Sequence, residues 1–171
     1  MTKYVIARRV RAGNPDAAAQ AFAEYFKPRM LELGASDCVS FEWMSGEPGI
    51  YSVGTEWESL EQGYAAYATA GADAGFADAV SSAGVKILNR VVGIVRAEAG
   101  SMTGPYGGVT TFTLEAPDSD RLQTMMEGGV AAGANGVQAV QFFAGGGNVN
   151  LWSGVAPVSY THLTLPTTRH V

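Results

Sequence analysis

Cysteine, histidine and charge are all scarce in this 171-residue chain. The single cysteine, Cys38, excludes an intrachain disulfide. The two histidines, His162 and His170, both stand near the C-terminus. Charged residues make up only 16% of the chain, and the basic ones are the minority, giving a net charge of −5. An acidic balance argues against nucleic acid and anionic membranes as partners, because both recruit basic faces. No apolar run approaches the roughly 20 residues that span a bilayer. The opening "MTKYVIARRV" carries no signal-peptide core. These absences lead to the expectation of a cytoplasmic protein.

Apolar residues are plentiful at 47%, and the mean hydropathy of +0.06 belongs to a chain that can bury a core. The 22 glycines point to tight turns. Lys3 to Ala12 alternates and is β-rich, which predicts a strand. A helix follows from Asn14, a good N-cap, through Pro15 in the first turn to Gly34 at the exit, with Pro28 kinking or interrupting it. "CVSFEWMS" and "GIYSVGTEWE" read as two strands joined through "GEPG". Ser59 and Gln62 form a capping box ahead of a second helix, broken near Gly71 to Gly75. "VKILNRVVGIVRA" is a fourth strand. Residues 1–99 thus read β-α-β-β-α-β, a ferredoxin-like α+β order.

After a linker over 100–107, the pattern restarts. "VTTFTLEA" is a strand, a helix capped by Asp118 follows, and "GVQAVQFFAGGGNVNLWSGVA" is a hairpin. The two hairpins align without gaps at an offset of 100, Gly46 on Gly146, Trp43 on Phe143 and Gly54 on Gly154. Pro15 falls near Pro117, Gly34 near Gly133, and the break at Pro28 has a counterpart in Gly128-Gly129. A tandem duplication accounts for this. The second unit, residues 108–157, lacks the last helix and strand.

In their place stands "PVSYTHLTLPTTRHV". The segment "VSYTHLTLPTT" resembles the translation of a transposon-based sequencing adapter, which implies that residues 158–171 are foreign to the fold and that the natural protein is longer. Set aside, that tail takes both histidines with it. Residues 1–157 then offer no Ser-His or Cys-His nucleophile, no histidine base and no histidine metal ligand. "FAGGGNVN" sits between two strands, so it cannot cradle a phosphate at a helix start. Cys38 at a strand start reads as a small buried hydrophobe, and Met125-Met126 as core filling.

The stretch "VGTEWESLEQGYAAYATAGADAGFADAV", Val53 to Val80, resembles the signature of the dimeric α+β barrel superfamily, in its small-monooxygenase branch. Third strands there often end in Trp-Glu before Ser or Asp, as Trp57, Glu58 and Ser59 do here. An aromatic-rich helix follows, matched by Tyr64 and Tyr67, and then a broken segment before a Phe, matched by Phe76. The resemblance implies two ferredoxin-like sheets closing into one barrel, both supplied here by the tandem repeat. It implies a small apolar pocket between sheet and helices, lined in part by Trp57. Arg8 stands nearest the polar first-strand residue, often Asn in that family. The helix histidine of the haem-degrading branch has no counterpart, since Tyr64 or Tyr67 occupies that region, and this puts haem degradation in doubt.

Strand alternation places Tyr51, Val53, Thr55 and Trp57 on one face, Val39, Phe41 and Trp43 together, and Asn89 with Ile87 and Val91. A polar residue among apolar neighbours is a candidate orienting group, which gives the ligand-binding candidates Trp57, Arg8, Tyr64, Tyr67 and Asn89. The plainer alternative is that Arg8, Glu42 and Arg90 pair at the barrel seam while Trp57 plugs the core. Two functions remain open. One is a cofactor-independent monooxygenase-like enzyme binding a small aromatic compound, with neither metal nor bound cofactor. The other is a non-catalytic binding or assembly domain. The expected partners are a small apolar or aromatic ligand and, through the truncated sheet edge, another copy of the chain. Neither nucleic acid nor membrane is expected.

Overall fold

The computed structural model describes residues 2–43, 48–102, 106–113, 118–143 and 148–155, with the backbone alone for 106–113 and 148–155. Gly46 and Glu47 of the "GEPG" turn, Pro117, the glycine run 145–147 and the adapter-like tail lie outside these residues. The elements run β1 Tyr4–Arg11, α1 Pro15–Ala21, a π-helical turn Phe22–Phe26, α2 Lys27–Glu32, β2 Asp37–Glu42, β3 Ile50–Trp57, α3 Leu60–Gly71, α4 Ala74–Ser82, β4 Lys86–Gly100, β5 Tyr106–Thr113, α5 Ser119–Ala131, β6 Ala134–Phe142 and β7 Asn148–Val155. The fold is α+β.

Two compact units divide the chain. The first holds residues 1–95 with 140–148. Its strands follow the order β2-β3-β1-β4, all antiparallel where their register is defined. Tyr4 pairs with Trp57 and Arg11 with Ile50 on one side of β1. On the other side the pairing with β4 slips between Arg9 and Val10, so that Leu88 is bulged out. This is the ferredoxin-like order, in which β1 and β3 are the central strands. One face of the sheet carries the helices. Ile6, Phe26, Met30, Cys38, Trp57 and Tyr67 form the core between them.

The local signals explain the helices. Asn14 Oδ1 accepts from Ala17 N at 3.2 Å, and Pro15 needs no donor at that position. Pro28 does not stop the helix. Its ring would meet the carbonyl four residues back, and the preceding turn widens instead, with Lys27 N–H donating to Phe22 O. Gly34 leaves with φ +98°, the left-handed exit. Ser59 caps α3 by accepting from Gln62 N at 3.1 Å, but the box is only half formed. Gln62 Nε2 donates to Gly34 O at 3.5 Å, so it ties α3 to the loop after α2. The expected break falls between Gly71 and Ala74, and Asp73 starts α4 by accepting from Phe76 N.

The second unit comprises Arg96–Ala139 and the described residues from Val149 onward. Asp118 caps α5, accepting from Asp120 N and Arg121 N. Leu122 and Met126 pack against Ala97, Val137 and Ala139. Met125 is 43% exposed, so only half of the methionine pair fills the core. The helix runs unbroken through Gly128 and Gly129, against the expected interruption. Glycine weakens a helix by only about 1 kcal/mol and does not break its hydrogen bonding as proline does. Strand β7 lies between β6 and β5.

Candidate functional site

The helix-facing side of the first unit's sheet gathers polar side chains inside an apolar core. Residues paired across neighbouring strands share a face. Arg8 stands opposite Val53 on β3 and Arg90 on β4, and Thr55 stands opposite Ile6 on β1 and Cys38 on β2. Helix α3 closes over them. Gly63 makes that approach possible, since a Cβ there would come within 2.7 Å of Ile6 Cδ1 and 3.1 Å of Trp57.

Thr55, fully buried, organises the centre. Its hydroxyl donates to Ile6 O at 3.1 Å and accepts from Trp57 Nε1 at 2.7 Å. The Tyr67 hydroxyl lies 3.1 Å away. A threonine hydroxyl has one proton, and Ile6 takes it, so Tyr67 is the donor in that third bond. Burial raises the Tyr67 pKa, the Thr55 bond and Arg8 oppose the rise, and Cys38 adds to it. Tyr67 is therefore a neutral phenol near pH 7. Cys38 is enclosed, and burial pushes its thiol up to about 12, so it is no nucleophile at neutral pH.

Arg8 lies beside this group. Its guanidinium carbon is 3.9 Å from the centre of the Tyr67 ring, a cation–π contact. Burial lowers its pKa, Tyr67 opposes the shift, and Arg90 adds to it. The Arg8 Nε atom is buried and, among the described residues, has no hydrogen-bond partner, as is also true of Arg29 Nε. A buried guanidinium N–H without an acceptor is costly.

Of the five residues singled out from the sequence, three meet here. Trp57 and Tyr67 are in the core and Arg8 is stacked on Tyr67. Trp57 is fully buried, its ring enclosed by the core rather than open to solvent. Tyr64 is 56% exposed, and Asn89 is exposed opposite Arg9 on the other face of the sheet. The bulge at Leu88 breaks the expected alternation, because Ile87 pairs with Val10 and so shares a face with Arg90, not with Asn89. Among the described residues no ion pair joins Arg8, Glu42 and Arg90, so the seam pairing is not formed. Thr55 was not among the residues singled out from the sequence. Its signal was present: a hydroxyl residue on the apolar face with Val53 and Trp57.

The opposite face holds a second polar arrangement, with Trp43 Nε1 donating to Ser52 Oγ at 2.8 Å and Arg9 5.0 Å above the Trp43 ring. A shallow groove of about 230 Å³ runs along the π-helical turn past Glu24, Tyr25, Arg29, Asp73 and Phe76, apart from all five candidates. Among the described residues no three His, Cys, Asp or Glu side chains gather as they would around a metal ion. No helix among them is long and apolar enough to cross a membrane.

No family model and no curated protein matches the chain. Solved structures do. SnoaB, a cofactor-independent oxygenase from Streptomyces nogalater, is 12% identical over 55% of this chain and 91% of its own, with a TM-score of 0.39. A dimeric ferredoxin-like protein from an uncultured marine organism is 17% identical over 56% of this chain and 96% of its own, with a TM-score of 0.41. A protein from Fusobacterium nucleatum subsp. nucleatum, assigned as a monooxygenase, is 9% identical over 89% of this chain and 74% of its own, with a TM-score of 0.52. That last likeness is one of fold alone: the chain shares the α+β architecture of that protein.

Proposed function

We propose that this chain binds a small aromatic compound on the helix side of the first unit's sheet and oxidises it with dioxygen, without a metal or bound cofactor. One observation carries the reading: Arg8 is stacked on Tyr67 with a buried Nε that has no partner among the described residues. An oxygen of an electron-rich aromatic anion would supply the missing acceptor. Arg8 would then stabilise the negative charge, a role that a low-dielectric setting strengthens. Without a cofactor the electrons come from the substrate itself. The substrate gives up four electrons and two hydrogens: one oxygen atom stays on the substrate carbon as a carbonyl, and the other leaves as water with those hydrogens. The shared fold supports the reading. The same proposal takes residues 1–99 and 108–157 as tandem units. Its support is that β7 lies between β6 and β5 as β3 lies between β2 and β1.

A second reading, binding without catalysis, has its own support in Trp57. Its ring is fully enclosed and its N–H is spent on Thr55, as in a core support. Calorimetric titration with 1-naphthol, followed by oxygen uptake, separates the two. Binding that weakens about tenfold or more in Arg8→Gln, with oxygen consumed above the buffer rate, is the expected result. Binding without oxygen uptake leaves the second reading. Equal affinity in the wild type and in Arg8→Gln would remove Arg8 from the site.

A further inference from the structure

Arg8 and Arg90 stand directly opposite each other on neighbouring antiparallel strands and share the helix-side face. Like charges in that relation repel. Among the described residues neither has an ion pair, and Arg8 Nε has no acceptor. Two guanidinium groups at one register position, with no ion-pair partner among the described residues, describe a site for an anion with two oxygens. Lys would offer point charges, but Arg offers parallel N–H donors that fit a planar carboxylate. Beside Arg90 on the same face of β4 lie Val92, half-buried, and Ile87, 42% exposed across the bulge. They supply an apolar shelf where a ring could rest.

We infer that the ligand is an aromatic carboxylate, its carboxylate bridging Arg8 and Arg90 and its ring lying on Ile87 and Val92. This rests on the helix-side site proposed above and narrows its ligand class. Arg8, stacked on Tyr67, is the fixed half of the clamp. Arg90, exposed, is the half that selects between a carboxylate and a neutral phenol.

The test uses two probes with one ring system, 1-naphthoate and 1-naphthol, titrated at pH 7.5 into the whole chain. The expected result is that 1-naphthoate binds about tenfold tighter or more, and that added salt weakens it while leaving 1-naphthol unchanged. Arg90→Gln should bring 1-naphthoate down to the affinity of 1-naphthol and leave 1-naphthol as it was. Arg9→Gln, on the opposite face, should change neither. Arg90 is exposed, so its replacement should keep the melting temperature, and a melt of each variant checks this. Equal affinity for the two probes, or an unchanged 1-naphthoate affinity in Arg90→Gln, overturns the carboxylate clamp while the Arg8 site stands. Failure of both probes to bind overturns the clamp and the helix-side site together.

Discussion

At the scale of single residues, Thr55 matters more than its size suggests. It is the acceptor for two buried donors, Trp57 N–H and Tyr67 O–H, and its own proton goes to Ile6 O. Valine has nearly the same shape but accepts nothing. Thr55→Val would therefore leave two buried donors unsatisfied, each worth about 1–3 kcal/mol. We expect a loss of about 2–4 kcal/mol in a denaturant melt, while Thr55→Ser, which keeps the hydroxyl, should lose about 1 kcal/mol for the methyl alone. Cys38, paired with Thr55 across β2 and β3 and fully buried, provides an independent readout. Its thiol should react with iodoacetamide only when the core opens, and faster in the valine variant. A valine variant as stable and as slowly labelled as the wild type would show that the three bonds contribute little. Trp57 was legible in the sequence as an important residue. Its partner was not, because a threonine on a strand carries no mark that says which donors the fold will bring to it.

At the scale of elements, what was local was legible. Asn14, Ser59 and Asp118 announce helix starts because each bonds to a backbone N–H two or three residues ahead. What depended on tertiary contact was not. Gln62 turns from its own cap to Gly34, and the bulge at Leu88 takes Ile87 off the face that Asn89 shares with Val91. Tyr64 and Tyr67 sit a single turn apart on α3, but only the packing against β3 decides that one is 56% exposed and the other 9%. The glycine pair of α5 is a case where propensity misleads, and it can be tested. A Cβ on Gly128 would meet nothing within 4 Å, whereas one on Gly129 would meet Val137 Cγ2 at 2.8 Å. Neither residue has positive φ. Gly128→Ala should thus stabilise by about 0.5–1 kcal/mol, through lower unfolded-state entropy and better helix propensity. Gly129→Ala should gain less or lose, because Val137 must shift. Thermal melts of the two variants compare them directly. A destabilised Gly128→Ala would mean that α5 is not a regular helix at that point.

At the scale of the whole molecule, β2 is an edge strand. Strand β2 is bonded to β3 on one side and lies at the end of the strand order. Among the described residues no second strand pairs with β2, and an open strand edge is a template for another strand. Natural edges are usually protected by charge, proline or a bulge. Here Asp37 and Glu42 stand only at the two ends of β2, and the middle is Cys38, Val39, Ser40 and Phe41. Val39 and Phe41 are only half-buried and share a face, on the side away from the helices. The net charge of −5 on 171 residues gives little repulsion between copies. We expect the chain to self-associate through this edge. Sedimentation velocity should show a larger species whose share rises with concentration, between about 5 and 200 µM, a range in which weak interfaces populate. Val39→Lys would place a charge in the middle of the edge without touching the helix-side core, and should return the chain to a monomer with its melting temperature largely kept. If wild type and Val39→Lys sediment alike, association runs through another surface. If both are monomers at the highest concentration, the β2 edge is protected by something other than its own sequence.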